Sequence, residues 1–133
     1  MRPGSAIVNV SSSLGLRARE GAGVYATAKA GQIGLTRQLA VEEGPRGVRA
    51  NAVAPGIIET EMFARFRDNK AIRRAMIGTV PLQGQQTGTP EDVAAAVLYL
   101  CSPAARFING QVITIDGGWS ETHFVSSDIN AEE

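Results

Sequence analysis

Three short apolar runs along the chain have the pattern of buried β-strands. They cover 6–10, 48–54 and 111–116 and are followed by serine, proline or glycine residues, and the first is rich in β-branched residues. Nearly continuous apolar character over so few residues is typical of strands in a parallel sheet with helices on both faces. The pattern therefore predicts three parallel strands.

The longest predicted helix lies between the first two strands. Residues 24–43 contain no proline, and Val24, Ala28, Leu35 and Leu39 recur at helical spacing. This spacing predicts one apolar face that packs on the sheet. Gly44 and the proline after it end the helix.

Two further helices are predicted between the second and third strands. Residues 61–77 mix arginines with methionine and phenylalanine, which indicates a cover over a site. A hydroxyl cap at Thr89, a proline and two acids predict the start of the next helix. Its predicted buried face comprises Val93, Val97, Leu100 and Cys101.

The element order predicts an α/β fold that forms half of a doubly wound parallel sheet. We expect one domain over 1–118 and a loosely held tail over 119–133.

The charge of the chain argues against a nucleic-acid partner. Positive and negative side chains balance to a formal net charge of +0 over 133 residues, and no stretch forms a basic face. No apolar run is long enough for a membrane helix, and the single cysteine fits a reducing compartment, so we predict a cytoplasmic protein without nucleic-acid or membrane partners. His123 has no cysteine or acid at ligand spacing, and no metal site is predicted.

A serine, a tyrosine and a lysine are the candidates for chemistry. Tyr25 and Lys29 lie one helical turn apart on the same face, where the ammonium can favour the phenolate. The Ser11-Ser12-Ser13 cluster follows the first strand, and Pro55-Gly56 follows the second. Since parallel strands place their carboxyl ends at one edge, these groups are predicted to meet in one crevice.

Four motifs in this order and spacing resemble the classical short-chain dehydrogenase/reductase family. They are Ile7-Val8-Asn9-Val10-Ser11-Ser12, Tyr25-x-x-x-Lys29, Asn51-Ala52-Val53-Ala54-Pro55-Gly56 and Asp116-Gly117-Gly118. The resemblance covers the C-terminal half of that family's Rossmann-like sheet. The family's spacing from serine to tyrosine selects Ser12 from the triplet, which leaves Ser11 and Ser13 to cap or turn the backbone.

The resemblance implies an NAD- or NADP-dependent oxidoreductase acting on a small carbonyl or alcohol. Tyr25 would be the general acid and base, Ser12 would hold the substrate oxygen, and Lys29 would assist Tyr25 and bind the nicotinamide ribose. It also implies cofactor contacts by a set that includes Tyr25 and Lys29 together with Pro55, Gly56, Ile58 and Thr60. Substrate identity stays open, since similar members act on sugars, steroids and acyl-carrier-bound ketones.

The family's glycine-rich phosphate loop has no counterpart in the sequence. Gly15, Gly21 and Gly23 lack the strand-turn-helix context and are interpreted as loop glycines. We therefore expect a truncated chain that is inactive by itself and whose first strand has a bare edge. Trp119 is interpreted as packing under the tail or at an interface, with a substrate-lining role as the alternative.

Gly31 and Gly34 within the long helix suggest that another backbone packs closely there. The resemblance implies a homo-oligomer through the 24–43 helix; packing of that helix on its own sheet is the alternative. Two other functions stay open. One is a non-catalytic module that pairs with full-length relatives, and the other is a product with no stable fold.

Overall fold

Three parallel strands and their flanking helices make up the computed structural model, which describes residues 1–67, 69, 79–82 and 87–121. The elements follow in chain order: β1 (Ala6–Val10), α1 (Gly23–Glu43), β2 (Arg49–Pro55), α2 (Glu61–Arg67), α3 (Pro90–Cys101) and β3 (Val112–Ile115). The predicted α/β class and the three parallel strands are confirmed. Outside the described residues lie 122–133, which include His123, and most of the remainder of the predicted 61–77 helix.

β2 is the central strand of the described sheet. It pairs in parallel with β1, from Ala6 opposite Arg49 to Val10 opposite Val53, and with β3 on its other side. Residues 50–54 are fully buried, whereas β3 is only half-buried and β1 is half-buried up to its exposed last residue. Among the described strands, β1 therefore forms an edge of the sheet, as the sequence predicts.

Helices α1 and α3 cover opposite faces of the sheet. Val8 packs with the core around Val53 and Leu100, against which α3 lies. The next residue, Asn9, donates a hydrogen bond from Nδ2 to Oγ1 of Thr36 on α1, at 2.9 Å. Since successive side chains of a strand point to opposite faces, the two helices sandwich the sheet.

The buried face of α1 differs from the predicted one. Ile33, Thr36 and Ala40 are buried, whereas Val24 is 90% exposed and Leu35 is 52% exposed. The predicted packing of Val24, Ala28 and Leu35 on the sheet is therefore wrong. Because the helix is rich in alanine and other small residues, it has apolar stripes on two sides, and helical spacing alone selected the outer one.

Helix α3 begins as predicted. Oγ1 of Thr89 accepts a hydrogen bond from N–H of Asp92 at 3.3 Å, and Oδ2 of Asp92 accepts one from N–H of Thr89 at 2.7 Å. This reciprocal pair is a capping box. Leu100 is fully buried, but Cys101 is exposed, so the prediction of a buried cysteine is wrong. Cys101 is the last residue of α3 and follows Leu100, the buried residue of that helix.

Two asparagines connect β2 to the segment before β3. The fully buried Asn51 donates to the carbonyl of Ile108 at 2.9 Å and accepts from N–H of Gln111 at 3.0 Å. Asn109 accepts from N–H of Ala50 at 2.8 Å. These bonds hold the two strands in register, so that both end at the same edge. In the described part of the chain, the helices are too short or too polar to cross a bilayer.

Candidate active site

A cleft of about 400 Å³ opens at the carboxyl ends of the three strands. Its walls come from the segments after β1, β2 and β3 and from the starts of α1 and α2. The lining residues are Ser12, Ser13, Leu14, Arg19, Gly21, Ala22, Tyr25, Gly56, Ile57, Ile58, Thr60, Met62, Phe63, Val80, Asp116 and Trp119. Parallel sheets commonly place their ligands at this edge.

Ser12 begins the loop that leaves β1. Its Oγ accepts a hydrogen bond from N–H of Leu14 at 3.2 Å, so Ser12 caps the short 3-10 helix Ser13–Gly15. Because Oγ is the acceptor there, the hydroxyl proton remains available for donation into the cleft. The sequence leaves capping or turning of the backbone to Ser11 and Ser13; Ser13 does begin the 3-10 turn, but Ser11 is not its cap. Instead, Oγ of Ser11 donates to the carbonyl of Lys29 at 2.8 Å, which ties the loop to α1.

Tyr25 and Lys29 lie on the side of α1 that faces the loop. The ammonium of Lys29 stands 5.7 Å from the centroid of the Tyr25 ring and donates to the carbonyl of Val10 at 3.0 Å. That bond uses one of three N–H donors and fixes the lysine at the end of β1. Within the described part of the chain, the Tyr25 hydroxyl makes no hydrogen bond, and Tyr25 lines the cleft.

The segment after β2 supplies one long wall of the cleft. Gly56, Ile58 and Thr60 line it, whereas Pro55 is the last residue of β2 and is not among the lining residues. A Cβ on Gly56 would come within 2.6 Å of Cβ of Asp116, so only glycine permits β2 and β3 to end so close together. Thr60 precedes α2, and its Oγ1 accepts a hydrogen bond from N–H of Phe63 at 3.4 Å.

The segment after β3 closes the opposite side. The Asp116 carboxylate accepts hydrogen bonds from N–H of Gly118 at 3.0 Å and of Ser120 at 2.9 Å. Gly117 and Gly118 have φ values of 63° and 90°, in the left-handed region that glycine tolerates best. This turn places the Trp119 side chain at the cleft.

The structure thus brings together most of the residues that the sequence singled out. Ser12, Tyr25, Gly56, Ile58 and Thr60 line one cleft, while Lys29 stands behind Tyr25. Met62 and Phe63 belong to the segment that the sequence predicts as a cover, and both line the cleft. Sequence reasoning did not single out Leu14 and Val80, and it gave Trp119 only a lesser lining role. A signal for Trp119 was present, since it follows the glycine pair after the last strand and therefore falls at the same edge.

Comparison with known proteins agrees with this architecture. A family model described as enoyl-(acyl carrier protein) reductase matches residues 1–120. The chain is 44% identical over 113 residues to the 3-oxoacyl-[acyl-carrier-protein] reductase FabG of Chlamydia muridarum, covering 85% of this chain and 44% of that protein. It is 46% identical over 112 residues to FabG of Aquifex aeolicus, again covering 44% of the relative. The chain thus spans less than half the length of these curated relatives.

Solved structures show the same relationship in three dimensions. A 4-hydroxyisoleucine dehydrogenase mutant complexed with NADH and succinate superposes with a TM-score of 0.82 at 37% identity, covering 90% of this chain and 48% of that one. A 7α-hydroxysteroid dehydrogenase complexed with NADH and 7-oxo glycochenodeoxycholic acid superposes with a TM-score of 0.79 at 31% identity, covering 90% and 46%. On the sequence motifs, the fold and these matches, the chain belongs to the short-chain dehydrogenase/reductase family.

Proposed function

We propose that this chain carries the proton-transfer half of an NAD- or NADP-dependent oxidoreductase that interconverts a carbonyl and an alcohol. One observation supports the proposal above all. The Ser12 hydroxyl and the Tyr25 phenol line the same cleft, and the Lys29 ammonium stands 5.7 Å from the Tyr25 ring. A proton donor, a second hydroxyl and a cation are the groups that this chemistry needs.

Tyr25 acts as the general acid in the reductive direction and as the general base in the oxidative direction. Its hydroxyl has no hydrogen-bond partner in the described part of the chain, so it is free to meet a substrate oxygen. The neighbouring ammonium of Lys29 stabilises the phenolate that remains after the proton leaves. The bond from Lys29 to the carbonyl of Val10 holds the cation in position throughout.

Ser12 orients the substrate oxygen. Its Oγ is positioned by the bond from N–H of Leu14, so its proton can be donated to the oxygen on which negative charge develops. Because Ser12 is 8% exposed, water competes little for that proton. The hydrogen bond from Ser11 to the Lys29 carbonyl attaches the serine loop to the helix that carries Tyr25, which favours a preorganised pair.

The residues of the cleft fit the nicotinamide end of a dinucleotide. Tyr25 and Lys29 supply hydroxyl and ammonium groups for a ribose, and two N–H donors of the ammonium are not used by Val10. Gly56, Ile58 and Thr60 offer an apolar wall and a hydroxyl beside it. Pro55 ends β2 and sets the direction of that wall. A bound nicotinamide would supply or accept the hydride.

Hydride transfer requires the cofactor to be held firmly, and the sequence contains no glycine-rich phosphate loop. We therefore expect turnover when this chain is joined to a dinucleotide-binding half, and none from the 133 residues alone. Given the similarity to FabG, a 3-oxoacyl thioester is the first substrate to examine.

A chimera tests the proposed function. This chain replaces the matched 113 residues of FabG from Chlamydia muridarum, and loss of NADPH absorbance is followed with the acetoacetyl thioester of N-acetylcysteamine. Tyr25→Phe removes the hydroxyl alone, and we expect it to lower kcat by about 10²–10⁴-fold, the usual contribution of general acid catalysis.

Tyr99→Phe is the matched control. Tyr99 is 46% exposed, compared with 47% for Tyr25, but it lies on α3 and away from the cleft. The control should keep the rate of the unmodified chimera. A folded chimera without turnover would refute the oxidoreductase proposal, and full activity in Tyr25→Phe would refute the role of Tyr25.

The second candidate function is a non-catalytic module that associates with copies of itself or with full-length relatives. The outer face of α1 supports it, since Val24, Leu35 and Val41 are exposed there and added Cβ atoms on Gly31 and Gly34 would meet nothing within 4 Å. Close approach of a second helix would explain two glycines that internal packing does not require. We propose that this face forms a homo-oligomer, whichever function the cleft serves.

A further inference from the structure

Two segments that are distant in sequence from each other and from Trp119 converge on this residue. The guanidinium of Arg17, in the loop after β1, lies 5.2 Å from the centroid of the indole. Arg17 also donates from Nη1 to the carbonyl of Trp119 at 2.7 Å. From the other side, Nε1 of Trp119 donates to Oγ1 of Thr79 at 2.9 Å. We refer to Arg17, Trp119 and Thr79 as the tryptophan clamp.

The clamp stands at the edge of the cleft. Trp119 lines the cleft, whereas Arg17, whose guanidinium lies over the indole, is not among the lining residues. The cation–π contact and the bond from Nε1 to Thr79 hold the indole, while the bond from Arg17 to the Trp119 carbonyl holds its backbone. A fixed aromatic wall can therefore determine which substrates fit without first having to be ordered.

The wall around the clamp is largely apolar, although Ser12, Ser13, Arg19, Tyr25, Thr60 and Asp116 also line the cleft. Leu14, Ile57, Met62 and Val80 line the cleft together with Trp119. Both oxygens of the Asp116 carboxylate already accept a backbone N–H, and Arg19 lies at the exposed rim. A substrate rich in hydroxyl groups would lose its water there and find few partners, which costs binding free energy.

We propose that the tryptophan clamp is the specificity-determining wall of the cleft and that it selects carbonyl compounds whose neighbouring groups are apolar, in preference to polyhydroxy ketones. The proposal rests on the proposed function for the identity of the reacting group, but the wall can be tested by binding alone. Arg17 is a positioning residue here, since it acts on the substrate through Trp119.

The single tryptophan makes the clamp directly observable in the chain as it exists. The emission of Trp119 is titrated with 2-heptanone and, in parallel, with D-fructose. We expect a saturable change with 2-heptanone and none with D-fructose at the same concentrations. Collisional quenching by each ketone is measured with N-acetyltryptophanamide and subtracted.

Variants of the clamp then test how the wall is held. Arg17→Ala should move the unliganded emission to longer wavelength and weaken 2-heptanone binding about two- to fivefold, as expected for loss of an exposed cation–π contact. Arg17→Lys keeps a cation and should recover part of the affinity. Thr79→Val, which removes the acceptor for Nε1, should weaken binding in the same direction. Arg106→Ala, at the opposite end of the sheet, should leave both readouts unchanged, and circular dichroism verifies that each variant folds.

The proposal is overturned if 2-heptanone gives no saturable change, if D-fructose binds as well, or if Arg17→Ala binds 2-heptanone with unchanged affinity. These results are separable from those of the chimera. An inactive chimera with intact, clamp-dependent ketone binding would remove the oxidoreductase proposal and leave the wall. An active chimera without clamp-dependent binding would remove the proposal on the wall and leave the oxidoreductase proposal.

Discussion

Gly15 lies where the serine loop touches the backbone of α1. A Cβ at this position would come within 2.9 Å of the carbonyl carbon of Lys29 and 3.0 Å of Oγ of Ser11. Neither group can move freely, since one is helix backbone and the other is held by its hydrogen bond to Lys29. Gly15 is therefore more than a loop glycine. Its lack of a Cβ permits the close contact between the serine loop and α1 that positions Ser12.

Gly15→Ala should lower the free energy of unfolding by about 1–3 kcal/mol, the usual cost of overpacking a tight contact. Gly23→Ala is the control, since a Cβ on Gly23 would meet nothing within 4 Å. Urea denaturation followed by circular dichroism measures both variants. Equal stability of the two would show that the loop is not packed against α1 as described.

At the scale of elements, α1 shows that helical spacing does not decide which face is buried. One stripe of the helix, Ile33, Thr36 and Ala40, faces the sheet, and the opposite stripe carries Val24 and Leu35. Both stripes recur at helical spacing, and the outer one is the more apolar. The sheet selects the inner stripe because small residues and Thr36, which accepts from Asn9, fit close to the strands.

Gly31→Glu tests the proposed homo-oligomer through the outer face of α1. Glutamate is a better helix former than glycine by about 0.5 kcal/mol, so the monomer should not be destabilised. A charge at a close helix–helix contact should instead abolish association, as measured by size-exclusion chromatography with light scattering.

Ala104→Glu is the charge-matched control, since Ala104 is exposed in the turn after α3. It should leave the oligomeric state unchanged. If Gly31→Glu associates as strongly as the unmodified chain, α1 does not form the contact.

At the scale of the whole molecule, the sheet is secured at its centre, and among the described residues no strand pairs with the outer side of β1. Residues 50–54 of β2 are fully buried between two paired strands. In β1, alternate N–H groups point toward β2 and away from it. Since N–H of Ser11 bonds to the carbonyl of Val53, those of Val8 and Val10 point away from β2.

Amide hydrogen exchange should resolve this difference. The N–H of Ala52 is bonded to the carbonyl of Gln111 at 2.8 Å in the centre of the sheet. It should exchange on the order of a hundredfold or more slowly than the N–H groups of Val8 and Val10, because strand centres open only with global unfolding. NMR of the isolated chain in D₂O measures the three rates. Slow exchange at Val8 and Val10 would mean that another strand or chain covers this edge.

Much of the architecture follows from local signals in the sequence. The three apolar runs, the proline-free stretch of α1 and the Thr89 cap predicted the elements to within a residue or so. Local rules suffice there because strand and helix formation depends on neighbours in sequence. Ser12, Tyr25 and Gly56 could be assigned to one cleft for a related reason, since parallel strands place their carboxyl ends at a shared edge.

What the sequence by itself determined is the α/β class, the parallel order of the elements and the edge at which the candidate chemistry lies. The tertiary structure alone decided which stripe of α1 is buried, that Ser12 rather than its neighbours is the cap, and that Arg17, Thr79 and Trp119 meet at the cleft. The physical reason is distance along the chain. Contacts between segments far apart in sequence depend on how whole elements pack, and no periodicity within a single element records them.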